Sequence, residues 1–407
     1  MNRFTRRRSV FLYLPLLCQL ASMFNTVLSR FGISHFYLFI YAISFGALLF
    51  YKNDNRKNTI TLPALYIFLL LAIMFVHLIN TQSISMILMG TMTYILPVAY
   101  WLLYYIKGIY YVDSIFKSLK IPYAIVAVLA FVQYFISPDL FGLYVADAGQ
   151  KLWASNSDFS TYAAYFRATS VFQSAQALGL SMALYCAVFL KYVFNKKKPI
   201  DYICVVLYLT SGGLSGSKSF FLVITIFIIY MIFTSNSKKS VKFSYAVVII
   251  AGIVALYFYQ NTFGFIDRIL NVARIADEEQ VGRLSTYAYY IGESSLFGAG
   301  PGCIQNITGV TKEVVVAESY FLQMLYELGY IPFLIFLIMI IDRFYRSNHK
   351  IIYFLIAISM VYVHIFSSFT FFIFWSFILL KNFMPEKVWK SRACLPPDGK
   401  RLFQKVH

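Results

Sequence analysis

Residues 84–106, ISMILMGTMTYILPVAYWLLYYI, run for 23 positions without a single Asp, Glu, Lys or Arg. A helix of this length reaches about 34 Å, enough to cross the hydrocarbon core of a bilayer. Working outward, similar apolar runs occur at 10–29, 33–51, 60–79, 121–137, 170–190, 200–213, 218–234, 243–259, 317–341, 351–366 and 367–380. The whole 407-residue chain is 60% apolar and only 13% charged. Soluble domains carry about 25% charged residues, so a water-facing surface cannot be built from this supply. No stretch alternates with the period of a barrel strand. The expectation is an all-α polytopic integral membrane protein with about 12 transmembrane helices.

Lys and Arg fix the orientation. With a cytoplasmic N-terminus, 27 of the 35 basic residues fall on the inner side and 8 on the outer side. That asymmetry is the positive-inside bias, and it accounts for the net charge of +18. The positive charge is therefore matched to anionic lipid rather than to nucleic acid. The basic N-terminus and the run after it read as an uncleaved first span. Residues 1–383 form one transmembrane domain, and 384–407 a basic cytoplasmic tail. Of the five cysteines only Cys303 falls in an exterior loop, so no disulfide framework is expected.

Most connections are short, but 138–169 and 260–316 are long, and both face outward. Long connections in compact proteins carry function or disorder, and the second is too rich in aromatic and aliphatic residues for disorder. Four polar clusters sit at outer ends of spans: Arg167 with Gln173 and Gln176; SGGLSGSKSF (211–220) with Lys218; VGRLSTYAYYIGESSLFGAGPG (281–302) with Arg283; and VAESYFLQMLYELGYIP (316–332) with Glu318 and Glu327.

Each has a bland alternative. Lys218 can be an interfacial anchor, Arg283 a solvated loop charge, and Glu318 a first-turn acid on a helix dipole. Glu327 lies nine residues beyond Glu318, on the opposite helix face and about 13–14 Å deeper. The two glutamates are thus no catalytic pair, and Glu327 is expected to brace packing with a polar partner. Gly298, Gly300 and Gly302 lack the context of a nucleotide loop and read as a turn. Asp277-Glu278-Glu279 reads as a solvated loop. The histidines show no ligand spacing, so no metal or cofactor is expected.

Three stretches together resemble the bacterial O-antigen polymerase and O-antigen ligase superfamily (Wzy and WaaL types). RATSVFQSAQALGL (167–180) is similar to its Arg-Ala-Thr-Gly-x-Phe segment, with Ser170 where Gly is usual. LSGSKSFFLVITIF (214–227) is similar to its Leu-x-x-Ser-Arg segment, with Lys218 in place of Arg. RLSTYAYYIGESSLFGAGPG (283–302) followed by AESYFLQMLYELG (317–329) resembles its Arg–x(n)–Gly-x-Gly stretch and the later helix ending Glu-Leu-Gly. The resemblance implies a GT-C-like bundle with two long periplasmic loops, both termini cytoplasmic, in the bacterial inner membrane. It implies a metal-independent glycosyltransferase acting on undecaprenyl-diphosphate-linked oligosaccharides as donor and acceptor, with a polysaccharide chain-length regulator as a further partner.

The residues suit that chemistry. Breaking a sugar–phosphate bond develops negative charge on the diphosphate, which fixed cations stabilise. Arg167, Lys218 and Arg283 are the candidate diphosphate contacts, and Arg283 is also a candidate catalytic group. The attacking hydroxyl must lose a proton, and Glu318 is the candidate general base. Ligases of the superfamily typically place His there, so Glu318 favours the polymerase branch. Trp153, Tyr162, Tyr287 and Tyr289 are candidates to stack on sugar faces. The alternatives are a ligase that hands the glycan to lipid A–core, or a flippase, which would show two similar halves.

Overall fold

A computed structural model describes residues 3–33, 36–50, 61–79, 84–106, 112–136, 168–172, 174–195, 197–234, 288–303, 319–347, 349–362 and 369–379. Every regular element among these residues is helical. In chain order they are α1 (Arg3–Met23), α2 (Asn25–Arg30), α3 (Phe36–Phe50), α4 (Thr61–Ile79), α5 (Ile84–Ile106), α6 (Val112–Ser118) and α7 (Lys120–Phe135). Then follow α8 (Ala175–Val188), which ends in a π-helical turn Phe189–Val193, α9 (Pro199–Leu214) and α10 (Lys218–Thr234). After these come α11 (Tyr320–Leu328), α12 (Tyr330–Arg346), α13 (Lys350–Tyr362), a 3₁₀ turn Phe369–Phe374 and α14 (Trp375–Leu379).

Helices lie over the expected apolar segments, with departures that have local causes. The first segment is split at Phe24 into α1 and α2, and α1 reaches back to Arg3. The segment 317–341 is not one helix: Gly329, at φ +86°, interrupts it between α11 and α12. The segment 367–380 opens as a 3₁₀ turn. Segment 243–259 and the tail 384–407 lie outside the described residues. Among the described residues one helical run, Ala175–Val193, is long and apolar enough by itself to cross a membrane; shorter apolar helices of 10–17 residues include Phe36–Phe50, Lys120–Phe135, Pro199–Leu214 and Lys218–Thr234. Among the described residues, helix length and composition therefore do not by themselves establish the expected count of about 12.

Helix α8 is the hub. It is buried from Ala177 to Phe189 and packs against α9, α10 and α13. Its small residues allow this: Ser181, fully buried, meets the Tyr123 hydroxyl of α7 at 3.0 Å. Tyr123 in turn stacks on Tyr185 with ring centroids 3.9 Å apart. A second layer pairs α4 with α5 and α12 with α4.

The C-terminal turn closes the bundle, and its main-chain polar groups are met by buried side chains, as an apolar interior requires. Trp101 Nε1 donates to the Phe372 carbonyl at 2.9 Å, and Ile373 N donates to Gln19 Oε1 at 3.0 Å.

The helix ends expected on the inner side share polar contacts. Lys120 pairs with Asp201, whose other oxygen accepts from Asn195 N at 2.8 Å. The Tyr192 hydroxyl contacts His349 Nδ1 at 2.5 Å. Between these ends and the opposite ones, the perimeter presents large apolar side chains, among them Phe39, Phe68, Phe75, Ile121 and Phe233, all more than half exposed.

Candidate functional site

Two chain segments dock on the helix bundle, and each is met by a buried polar side chain. The first is 168–172, which leads into α8. Gln133, near the end of α7 and fully buried, accepts from Thr169 N at 2.8 Å and from Ser170 N at 2.6 Å. Its amide donates to Thr169 Oγ1 at 3.1 Å. Ser170 is left-handed, at φ +52°, where a glycine would be unstrained. Its hydroxyl recovers part of that cost by donating to the Val126 carbonyl at 2.8 Å. Ser174 then caps α8 by accepting from Ala177 N at 3.1 Å.

This segment lies against the turn between α9 and α10. Ala168 N donates to the Leu214 carbonyl at 3.2 Å. A Cβ on Gly179 would fall 2.4 Å from Ser215 Oγ and 2.6 Å from Ser217 Cβ, so only glycine admits the turn at this depth. Ser215 and Ser217 are fully buried, and Lys218 follows as the exposed first residue of α10. Residues 168–172 of the first stretch and the 214–218 turn of the second thus pack together.

The second return is 295–302, which docks on the break between α11 and α12. Ala299 N donates to the Tyr326 carbonyl at 2.8 Å and Gly300 N to the Glu327 carbonyl at 3.0 Å. In the other direction Tyr330 N donates to the Ser295 carbonyl at 3.1 Å and Ile331 N to that of Leu296 at 3.2 Å. Gly298, Gly300 and Gly302 all have positive φ, and an added Cβ on Gly298 would meet the Glu327 carbonyl at 2.3 Å. The expected glycine turn is therefore a main-chain interface with the helix break, joining residues 295–302 to 326–331.

Glu327, fully buried, accepts from the Tyr94 hydroxyl at 2.7 Å, Gly302 N at 3.0 Å and the Gln323 amide at 3.3 Å. That is the polar bracing expected of it. Ser319 caps α11 through Leu322 N at 3.4 Å and reaches the Met360 carbonyl of α13 at 3.5 Å. Helix α13 touches α8, α10 and α11, so both returns share one neighbour.

Of the candidate residues, Lys218 is placed as above. Arg167, Arg283 and Glu318 lie outside the described residues, as do Trp153, Tyr162 and Tyr287. Two of their immediate sequence neighbours are described: Ala168 follows Arg167 and Ser319 follows Glu318. Tyr289 is 57% exposed, available for stacking, while its neighbour Tyr290 is buried against Tyr326 with centroids 5.0 Å apart. Burial pushes the Tyr290 phenol up to about 12, which keeps it neutral.

No group of three His, Cys, Asp or Glu residues able to hold a metal occurs among the described residues. Sequence reasoning missed Gln133, Tyr94 and Gly90. A lone Gln in the apolar run YAIVAVLAFVQYF (123–135) was a signal for the first; nothing in the sequence marks the other two.

The chain matches no protein-family model, and no curated protein or solved structure is significantly similar to it.

Proposed function

We propose that this chain is a polytopic inner-membrane glycosyltransferase of the O-antigen polymerase type, with about 12 spans in a GT-C-like bundle. It joins undecaprenyl-diphosphate-linked repeat units at the periplasmic face. The observation that carries the reading is the bond from Ala168 N to the Leu214 carbonyl, 3.2 Å, together with the close fit of Gly179 on Ser215 and Ser217. These contacts bring the residue after Arg167 against the turn that ends in Lys218. Two cations carried by neighbouring segments suit a diphosphate, one as a planar bidentate donor and one as a point charge.

The membrane setting is supported by the apolar perimeter, since exposed Phe and Ile in such number suit lipid rather than water. It is also supported by the basic inner side of the chain.

In the reaction proposed, Arg167, Lys218 and Arg283 hold the donor's diphosphate and take up the charge that develops as the glycosidic bond breaks. Glu318 accepts the proton of the attacking hydroxyl on the acceptor's non-reducing sugar. Because Ser319 caps α11, Glu318 is joined directly to a fixed helix start, which suits a base that must meet its hydroxyl in one geometry.

The test is a surface-polysaccharide gel from a deletion strain complemented with wild type, Arg167→Ala and Glu318→Gln. The polymerase reading expects loss of the long-chain ladder with the single-repeat cap retained. It expects rescue by wild type and by neither variant. Loss of the single-repeat cap as well would point to the ligase or flippase instead, and an intact ladder would overturn the reading.

A further inference from the structure

An open groove of about 370 Å³ runs along the seam between α7 and α9. Ile121, Ala124, Ile125 and Val128 line it from α7, and Ile200 and Cys204 from α9. Ile121, Ile125, Val128 and Ile200 are exposed and stand as its walls, whereas Cys204 is buried and the small Ala124 only half-buried, so these two form its floor. The surface of the groove is wholly apolar, and Lys120 closes one end with the methylene stem of its side chain. Leu129, nine residues beyond Lys120, also lines it, which gives a length of about 13 Å along α7.

The Lys120 end of this slot is cationic. The Lys120 ammonium pairs with Asp201, which also accepts from Asn195 N at 2.8 Å, and Lys198 lies near enough to act on the same carboxylate. Lys197 and Lys198 are exposed and immediately precede α9. Lys120, Lys197, Lys198 and Asp201 together carry a surplus of two positive charges. The Tyr208 hydroxyl of α9 donates to the Lys120 carbonyl at 2.8 Å, so the two helices are tied at this end and their spacing is fixed.

We propose that the α7–α9 groove is a binding site for an anionic phospholipid, with one acyl chain lying between Ile121 and Val128 and the phosphate held by Lys197 and Lys198. A slot without polar atoms suits hydrocarbon and offers nothing to a peptide or a sugar, whose polar groups would be stranded there. Lysines at the mouth of a cleft between helices suit a lipid phosphate, and they lie at helix ends expected on the inner, anionic side of the membrane. Lys120 stays on Asp201 and holds the slot open. The proposal rests on the membrane setting and not on the reaction, so a failed polymerisation test leaves it standing.

The full-length protein, washed free of lipid in detergent, is titrated with dioleoyl phosphatidylglycerol or dioleoyl phosphatidylcholine, and the lipid retained on the chain is read by native mass spectrometry. Wild type should retain the anionic lipid at least about fivefold better than the neutral one, the worth of roughly one lysine near a phosphate. The double change Lys197→Ala, Lys198→Ala should bring the anionic lipid down to the level of the neutral one. Ala124→Phe, which fills the floor, should lower retention of both lipids alike. Lipid-free melting curves check that each variant is folded; should Ala124→Phe melt lower, Val128→Trp plugs the slot from its exposed wall and is read in the same way. Equal retention of the two lipids by wild type overturns the proposal, as does a preference that survives loss of both lysines. Retention unchanged by the plug overturns the groove as the seat of the lipid. A mass of two chains that the plug abolishes would show the groove covered by a second copy, and would overturn it too.

Discussion

The Cβ position of Gly90 in α5 lies 2.3 Å from the main-chain nitrogen of Gly302, although 212 residues separate the two in sequence. Two backbones in contact leave no side chain to swing away. Gly90→Ala should therefore destabilise the protein by about 1–3 kcal/mol, the usual range for overpacking. Gly46, in α3, is the control: an added Cβ there meets nothing within 4 Å. Gly46→Ala should be neutral or stabilising by about 0.5–1 kcal/mol through helix propensity. Thermal melts in detergent compare the two, and equal melting temperatures would contradict the close approach.

Gln133 anchors the segment 168–172 that leads into α8. Gln133→Leu leaves the Thr169 and Ser170 amides buried without an acceptor, at about 1–3 kcal/mol each. Ser170 offers a finer test. Ser170→Gly relieves a left-handed residue, worth about 1–2 kcal/mol, but loses the bond to Val126, worth about 1 kcal/mol. The net change should stay within about 1 kcal/mol of wild type. Ser170→Val keeps the strain, adds β-branching and loses the bond, so it should melt clearly lower than Ser170→Gly.

The apolar segments were legible because burial in helices needs only long runs without charge, and the runs at 84–106 and 218–234 coincide with α5 and α10. The break at Gly329 was not legible. A glycine inside an apolar run is tolerated in many helices, and this one is decisive only because Gly298 comes within 2.3 Å of its Cβ position. The polar clusters were visible one by one as departures from an apolar background. Their pairing was not, because it depends on contacts such as Ala168 with Leu214 and Gly302 with Glu327, which no local pattern encodes. Tyr94 shows this most clearly: one tyrosine among 33, it is distinguished only by the carboxylate it meets.

His349, between α12 and α13, gives a pH dependence with a definite sign. Burial, and then the nearby Lys191, push its imidazole down to about 4 from 6.5. The neutral form is thus the one that fits, beside the Tyr192 hydroxyl. Its contribution to stability is complete above about pH 6.5 and is lost as pH falls toward 4, at no more than about 1.4 kcal/mol per pH unit. His349→Gln should be less stable than wild type at pH 7.5 and should lose less on going to pH 5. Parallel melting curves of the two proteins across that range would contradict the assignment.

Lys218 separates an anchoring role from a functional one. A cation at the first residue of α10 faces the positive end of the helix dipole, which costs about 0.3–1 kcal/mol. By that dipole effect alone, Lys218→Ala should leave the melting temperature unchanged or slightly raised. If Lys218 instead holds the diphosphate as proposed, the same change should lower kcat/KM for polymerisation by about 10²-fold, the usual loss for one charge-stabilising donor. Lys218→Arg keeps the charge and should retain most activity. Normal polymer length and yield from Lys218→Ala would return this lysine to the role of an interfacial anchor. A lower melting temperature with activity lost in proportion would do the same.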